Sequence, residues 1–350
     1  GGTGARGQPE PVEHLGVQLT GIPDERPVGE GDRGAAPRMP GGRVARGHLD
    51  RHGKRAGHGP RRVERVGPIG GSPGFLDTHL TAEHVATVLG LSAGDVAVCS
   101  TGLIGERLPM DRLLPGVIAA AQALSVQGHA AAATAIMTTD TVSKQASFAG
   151  DGWSVSGMAK GAGMLAPALA TMLVVITTDA VSHPAELDLV LRGATAVSFD
   201  RIDSDGCMST NDTVLLLASG ASGVTPGWQA LVDGVTRVCL DLAVQLIADA
   251  EGAHHDIEIE VRSAATETDA LEVARAVARN NLFKCAVFGN DPNWGRVLAA
   301  VGTTRAAFDP ARLAVTMNGV QVCRDGGVGE DRRLVDLTPR HTHVVVDLHE

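Results

Sequence analysis

Residues 1–70 and the 280 that follow cannot obey the same folding rules. Gly, Arg, Pro and His fill 40 of the first 70 positions, as in GDRGAAPRMPGGRVARGHLDRHGKRAGHGPRRVERVG, and only 17 there are Ala, Val, Leu, Ile or Met. Such a stretch cannot bury enough apolar surface to offset the entropy of ordering it. Building a strand from it would fix glycines at high entropic cost and put prolines where ladder donors are needed. Residues 1–73 are therefore expected to be disordered and to supply no catalytic group. The alternative reading is a translation of GC-rich DNA in the wrong frame, which yields Arg, Gly, Pro and Ala in this manner. Either way, the fold has to be built from about Gly74 onward.

That remainder must make its core from aliphatic residues, because the chain has no Tyr, six Phe and three Trp. A length of 350 residues leaves room for one large domain or two ordinary ones. The net charge is −10 and the pI about 5.7. Since residues 1–70 balance at +4, the other 280 carry −14, which argues against nucleic acid as the main partner. The five cysteines (Cys99, Cys207, Cys239, Cys285, Cys323) are odd in number, scattered and without a CxxC, as suits a reducing compartment. No signal peptide and no apolar run of about 18–20 residues is visible, so the chain reads as soluble, cytoplasmic and without a membrane partner.

Periodicity then sorts the segments. DTHLTAEHVATVLGL and LLPGVIAAAQAL read as helices, DVAVCSTGLIG as a strand running into a turn at Thr101-Gly102, and GWSVSGMAKGAG as a strand ending in a glycine turn. HHDIEIEVRSA and THVVVDL alternate or are β-branched, as strands do. The strongest helix is TPGWQALVDGVTRVCLDLAVQLIADA. Thr225 suits its N-cap, Pro226 its first turn, and Leu231, Val235, Val238 and Leu242 form one stripe. TETDALEVARAVARNN is a further helix with a Thr cap. Interleaved strands and helices place the chain in the α/β (α+β) class, layered sheets with helices.

The polar motifs are ambiguous one at a time. MAKGAGM is not a phosphate loop, because Lys160 precedes its glycines, and a tight turn explains Gly161 and Gly163 equally well. SDGCMSTNDT (204–213) and NDPNWGR (290–296) are either site loops or turns and caps whose side chains bond their own backbone. EGAHHD offers Glu251, His254, His255 and Asp256, but no third ligand at a standard spacing, so no metal is expected. There is no GxSxG elbow and no cysteine in a recognised nucleophile context.

Taken together they are less ambiguous. VCSTGLIG, IMTTDT, MAKGAGMLAPALATML, SDGCMSTNDT, DAEGAHHDIEIEV and DPNWGR occur in the order expected of the glutamate N-acetyltransferase, or ornithine acetyltransferase, family of arginine biosynthesis. The chain resembles that family from about Gly74 to its end, and K-G-x-G-M followed by A-T-M-L, with its threonine eleven residues after the lysine, is the most specific element.

The resemblance implies that the protein cuts its own Ala170–Thr171 bond. The Thr171 hydroxyl attacks the Ala170 carbonyl, an N→O acyl shift gives an ester, and water hydrolyses it. The freed α-amine has a pKa near 8 and serves Thr171 as base without a histidine. The region 74–350 would then be an acetyltransferase unit divided into an α part, 74–170, and a β part, 171–350, assembled as a heterotetramer of two each. Thr171 would take acetyl from N2-acetylornithine and pass it to glutamate in ping-pong fashion. Thr101 (hydroxyl) and Gly102 (backbone N–H) match the family's oxyanion hole, and Thr139, Lys160 and Glu251 its substrate-binding positions, all expected to converge on one cleft. No cofactor is required, and some members also accept acetyl-CoA.

The resemblance has departures. Residues 1–73 show none of the strands family members carry there. The last family segment, with substrate-binding Asn and Ser/Thr, has no counterpart, so the β part is expected to be C-terminally truncated. Cys207 stands where the family usually has an acidic residue. Two other readings follow: a self-processing amidase or aminopeptidase of the same fold, in which water replaces glutamate, and an inactive truncated product.

Overall fold

The computed structural model describes residues 45–47, 71–103, 105–166, 172–207, 209 and 211–350. They gather into two compact units that divide between Ala253 and His254. The chain is mixed α/β, with one five-stranded sheet in each unit.

In the first unit, β1 (Ala45–Gly47) lies at a sheet edge, and helices α1 (Gly71–Leu89), α2 (Met110–Gln122) and α3 (His129–Ala135) follow. Next come β2 (Lys144–Ala149), β3 (Ser154–Lys160), β4 (Leu173–Thr178), α4 (Pro184–Ala196), β5 (Thr213–Ala218) and α5 (Trp228–Ala248). The strand order is β1-β5-β4-β3-β2. The β2–β3 and β3–β4 pairs are antiparallel, whereas β4 and β5 are parallel and need the α4 crossover between them. The β2–β3 hairpin depends on glycine: a Cβ on Gly150 would sit 2.2 Å from Trp153 Nε1. Trp153 is buried there against Phe148, with ring centroids 5.6 Å apart.

Helix α5 lies across β2 and β3. It buries Leu231, Val235, Val238, Leu242 and Leu246 in a core shared with Val155, Ile176, Leu187, Leu191 and Leu216. The contact is close because position 157 of β3 is glycine. A Cβ there would come within 2.9 Å of both Leu242 Cδ1 and Val238 Cγ1. The expected stripe is thus the buried one, but the cap lies elsewhere. Gly227, in extended conformation and without a side-chain cap bond, precedes Trp228, so Thr225 and Pro226 fall before the helix.

Two further expectations need correction. The segment 96–100, read as a strand, is irregular and follows a 3-10 turn at Ala93–Asp95. Among the described residues no strand pairs with it, and Asn211 from the β5 approach donates to its Ser100 carbonyl. Within 1–73, read as lacking strands, Ala45–Gly47 pairs antiparallel with Val214–Leu216 of β5, and α1 already begins at Gly71. The other residues of that stretch lie outside the described residues.

The second unit contains β6 (Asp256–Arg262), α6 (Glu267–Ala278), α7 (Asn281–Phe288), α8 (Trp294–Val301), β7 (Ala314–Met317), β8 (Val320–Arg324), β9 (Gly327–Val328) and β10 (His341–Asp347). Its sheet order is β6-β10-β7-β8-β9, with β6 parallel to β10. The β7–β8 hairpin turns on Asn318-Gly319, both at positive φ, as a two-residue turn between twisted strands requires. Thr266 caps α6 as expected, accepting the Asp269 N–H at 3.1 Å. Val273, Val277, Phe283, Val297 and Val301 from the helices pack on Ile259, Val261, Val315, Val344 and Val346. Among the described residues, no helix is long and apolar enough to cross a membrane.

Candidate active site

The first unit contains the expected site residues that are described, with Lys160 at the C-terminal end of β3. Lys160 is the last residue of that strand, pairs in register with Leu173 of β4, and is 1% exposed. Gly161 then turns the chain at a φ of 149, and the 161–166 segment is held from two sides. On one side Ala162 accepts the Glu251 N–H at 2.7 Å. The Glu251 carboxylate lies over Gly163, where a Cβ would meet its Cδ at 3.3 Å. On the other side the SDGC loop grips it: Asp205 accepts the Met164 N–H at 2.7 Å, and Leu165 exchanges bonds with Ser204. Cys207 is exposed in this loop, its N–H on Asp205.

A second group meets at the start of β4. Met172 donates its N–H to Asp212 at 2.9 Å and accepts that of Thr213 at 3.0 Å. Asn211, one residue earlier, donates Nδ2–H to the Ser100 carbonyl at 2.9 Å. That bond fixes the segment carrying Thr101, half-buried, and Gly102, exposed, next to the β5 approach. The SDGCMSTNDT stretch is therefore a loop that anchors two other segments. The expected cleavage pair and nucleophile, Ala170 and Thr171, lie outside the described residues.

Beneath the lysine turn is a buried charge network that sequence reasoning missed. Asp140 Oδ1 accepts the Gly161 N–H at 2.6 Å and the Lys144 ammonium at 2.8 Å, and its Oδ2 accepts the Thr138 N–H at 3.1 Å. Lys144 also donates to Asp249 Oδ2 at 2.5 Å, and Asp249 accepts the Thr141 N–H and hydroxyl. Thr139, exposed, sits between two anchored residues. Burial pushes the Asp140 and Asp249 carboxyls up, but the bonds from Gly161 and Lys144 in one case, and from Lys144 and Thr141 in the other, outweigh it. Both are held below the usual carboxylate range. Burial draws Lys160 below the ordinary lysine value, with Lys144 adding to the fall and Asp140, Asp212 and Glu251 opposing it. Among the described residues no ion pair engages Lys160.

In the second unit the other motifs make structural contacts. His254 stacks edge-on to Phe288, His255 Nε2 meets the Leu337 carbonyl at 3.0 Å, and Asp256 pairs with Arg340. NDPNWGR is a turn leading into α8, with Asn293 bonded to Asp291. No group of three or more metal-ligating side chains is formed among the described residues.

The fold and this cluster define a mixed α/β enzyme whose polar centre is a buried lysine beside a carboxylate network. A model of the ArgJ family matches residues 68–350. Among similar proteins, the arginine biosynthesis bifunctional protein ArgJ of Streptomyces coelicolor is 66% identical over 278 residues, covering 79% of this chain and 73% of that one. The protein of the same name from Thermobifida fusca is 60% identical over the same shares, and that from Bifidobacterium longum 51% identical over 80% of this chain and 73% of its own. A crystal structure of arginine biosynthesis bifunctional protein argJ from Bacillus halodurans aligns with a TM-score of 0.46 and 30% identity, covering 49% of this chain and 85% of that one. The chain belongs to the ArgJ family.

Proposed function

We propose that this chain is a bifunctional arginine-biosynthesis acyltransferase, moving acetyl from N2-acetylornithine to glutamate through an ester on Thr171. Thr171 becomes available by self-cleavage of the Ala170–Thr171 bond. Its Oγ attacks the acetyl carbonyl while its own α-amine takes the hydroxyl proton, and ornithine leaves as the amine that receives this proton. Glutamate's amine then attacks the acetyl ester, N-acetylglutamate departs, and the proton returns to Thr171 Oγ.

Each attack puts negative charge on the carbonyl oxygen, which the Thr101 hydroxyl and Gly102 N–H receive, each donor being worth about 3 kcal/mol of barrier. Lys160 holds the substrate α-carboxylate, a role suited to a fixed ammonium, and Glu251 holds an ammonium or N–H donor of the substrate, with Thr139 beside them. Transacetylation needs no cofactor, and acetyl-CoA is a second donor to be tested. The working assembly is two α and two β fragments in the cytoplasm.

The observation that carries this reading is Lys160, buried and without an ion pair among the described residues, at the strand end directly opposite the start of β4. Incubating the purified chain with N2-acetylornithine and glutamate tests it. N-acetylglutamate is the expected product, and acetate without N-acetylglutamate refutes the transfer.

A further inference from the structure

We propose that Lys144 is a positioning residue for acetyl transfer, its buried ammonium tying together the three chain segments that carry Thr139, Lys160 and Glu251. The inference rests on the substrate-binding roles proposed above for those three residues.

Lys144 opens β2 and is fully buried. Its Nζ donates to Asp140 Oδ1 (2.8 Å), Asp249 Oδ2 (2.5 Å) and the Val142 carbonyl (3.2 Å), one bond for each ammonium proton. Each carboxylate then holds a different piece of backbone. Asp140 takes the N–H of Thr138 and of Gly161, the residue after Lys160. Asp249 takes the N–H of Thr141 and stands two residues before Glu251. The binding candidates therefore come from segments far apart in sequence, and one cation is common to all three.

A buried ion network is a poor stability device, since well-packed apolar residues of similar volume often do as well or better. What it supplies is fixed geometry, which matters where a substrate is held at both its carboxylate and its amine. The network has a second effect. Because Lys144 occupies Asp140 and Asp249, neither carboxylate forms an ion pair with Lys160, whose ammonium has none among the described residues. The charged groups that act on Lys160 are Asp140, Lys144, Asp212 and Glu251, and Lys144 is the like charge among them.

The test compares the full wild-type chain with Lys144→Met and Asp249→Asn, measuring KM and kcat for both substrates, the alkaline limb of kcat/KM against pH, and cleavage at 170/171. In both variants KM for N2-acetylornithine and glutamate rises by roughly 10- to 100-fold, the penalty of a misplacement on the order of 1 Å, with kcat changed far less. In Lys144→Met the alkaline limb also moves to higher pH, because a like charge near Lys160 is gone. Asp249→Asn keeps that charge and raises KM without the shift. A merely structural role lowers thermal stability and moves neither KM nor the limb, and that result overturns the proposal. If Lys144→Met does not yield soluble protein, Asp249→Asn decides by the same KM criterion. A wild-type chain that makes no N-acetylglutamate overturns the functional reading and this proposal with it. An active wild type whose variants keep their KM overturns this proposal alone.

Discussion

Replacing Lys160 by Met separates binding from stability at the centre of the site. The side chain is 1% exposed and its ammonium has no ion pair among the described residues, so folding strips it of water with little return. Its pKa is accordingly lowered by burial. For a base the sign is clear: between the lowered folded value and the ordinary unfolded value near 10.4, the unfolded chain binds more protons. The stability cost is fully present below the folded value and is relieved as pH rises toward the unfolded one. Met is similar in length and carries no charge, so thermal unfolding at neutral pH should stay level or rise. The rise of wild-type stability with pH across that window should flatten. Activity should move the other way. A charge-assisted hydrogen bond to a carboxylate contributes about 1.5–3 kcal/mol, which is roughly a 10- to 150-fold rise in KM. Differential scanning fluorimetry against pH, paired with steady-state kinetics, reads both. A variant that loses stability while keeping its KM refutes the reasoning, for Lys160 would then be a folding residue.

Other perturbations probe the frame around it. Asp140→Asn leaves Lys144 partly unpaired and should cost about 3–5 kcal/mol in chemical denaturation. Because the Asp140 and Asp249 carboxyls are held low, their stabilisation is present above the unfolded value near 3.9 and is lost as pH falls through the folded values. Acid unfolding of the wild type should therefore centre below pH of about 4 and weaken in the Asn variant. Gly157→Val forces a side chain against Leu242 and Val238, already 2.9 Å from an added Cβ, and should destabilise by about 1–3 kcal/mol or more. Arg192→Ala breaks only the exposed Asp188 pair on α4 and should change the unfolding free energy by less than about 0.5 kcal/mol.

What could be read from the sequence was whatever local pattern determines. The α5 stripe was legible because Leu231, Val235, Val238 and Leu242 repeat at helical spacing, and the same four face the core. Thr266 was legible as a cap because its partner, the Asp269 N–H, is three residues away. Features decided by distant partners were hidden. Residues 96–100 have strand-like composition, yet a strand also needs a neighbour, and among the described residues the contact shown is the Asn211 bond to the Ser100 carbonyl. Lys144 belongs to no recognisable motif, and its partner Asp249 is 105 residues away. The 45–47 strand escaped notice because its pairing with β5 owes nothing to its own composition. Thr101, Lys160 and Glu251 were proposed from motif order; which carboxylates surround Lys160 could be known only from the fold.

The central claim is that Thr171 is freed by self-cleavage and carries the acetyl group. The most direct measurement is intact mass spectrometry of the full chain after incubation with N2-acetylornithine alone, beside Thr171→Ala. The account predicts two fragments divided between Ala170 and Thr171 in the wild type, with one acetyl group on the fragment that begins at Thr171. Adding glutamate should remove that group, and the variant should stay uncut and unmodified. Wild-type protein that remains a single unmodified chain, or an acetyl group carried equally by Thr171→Ala, would contradict it.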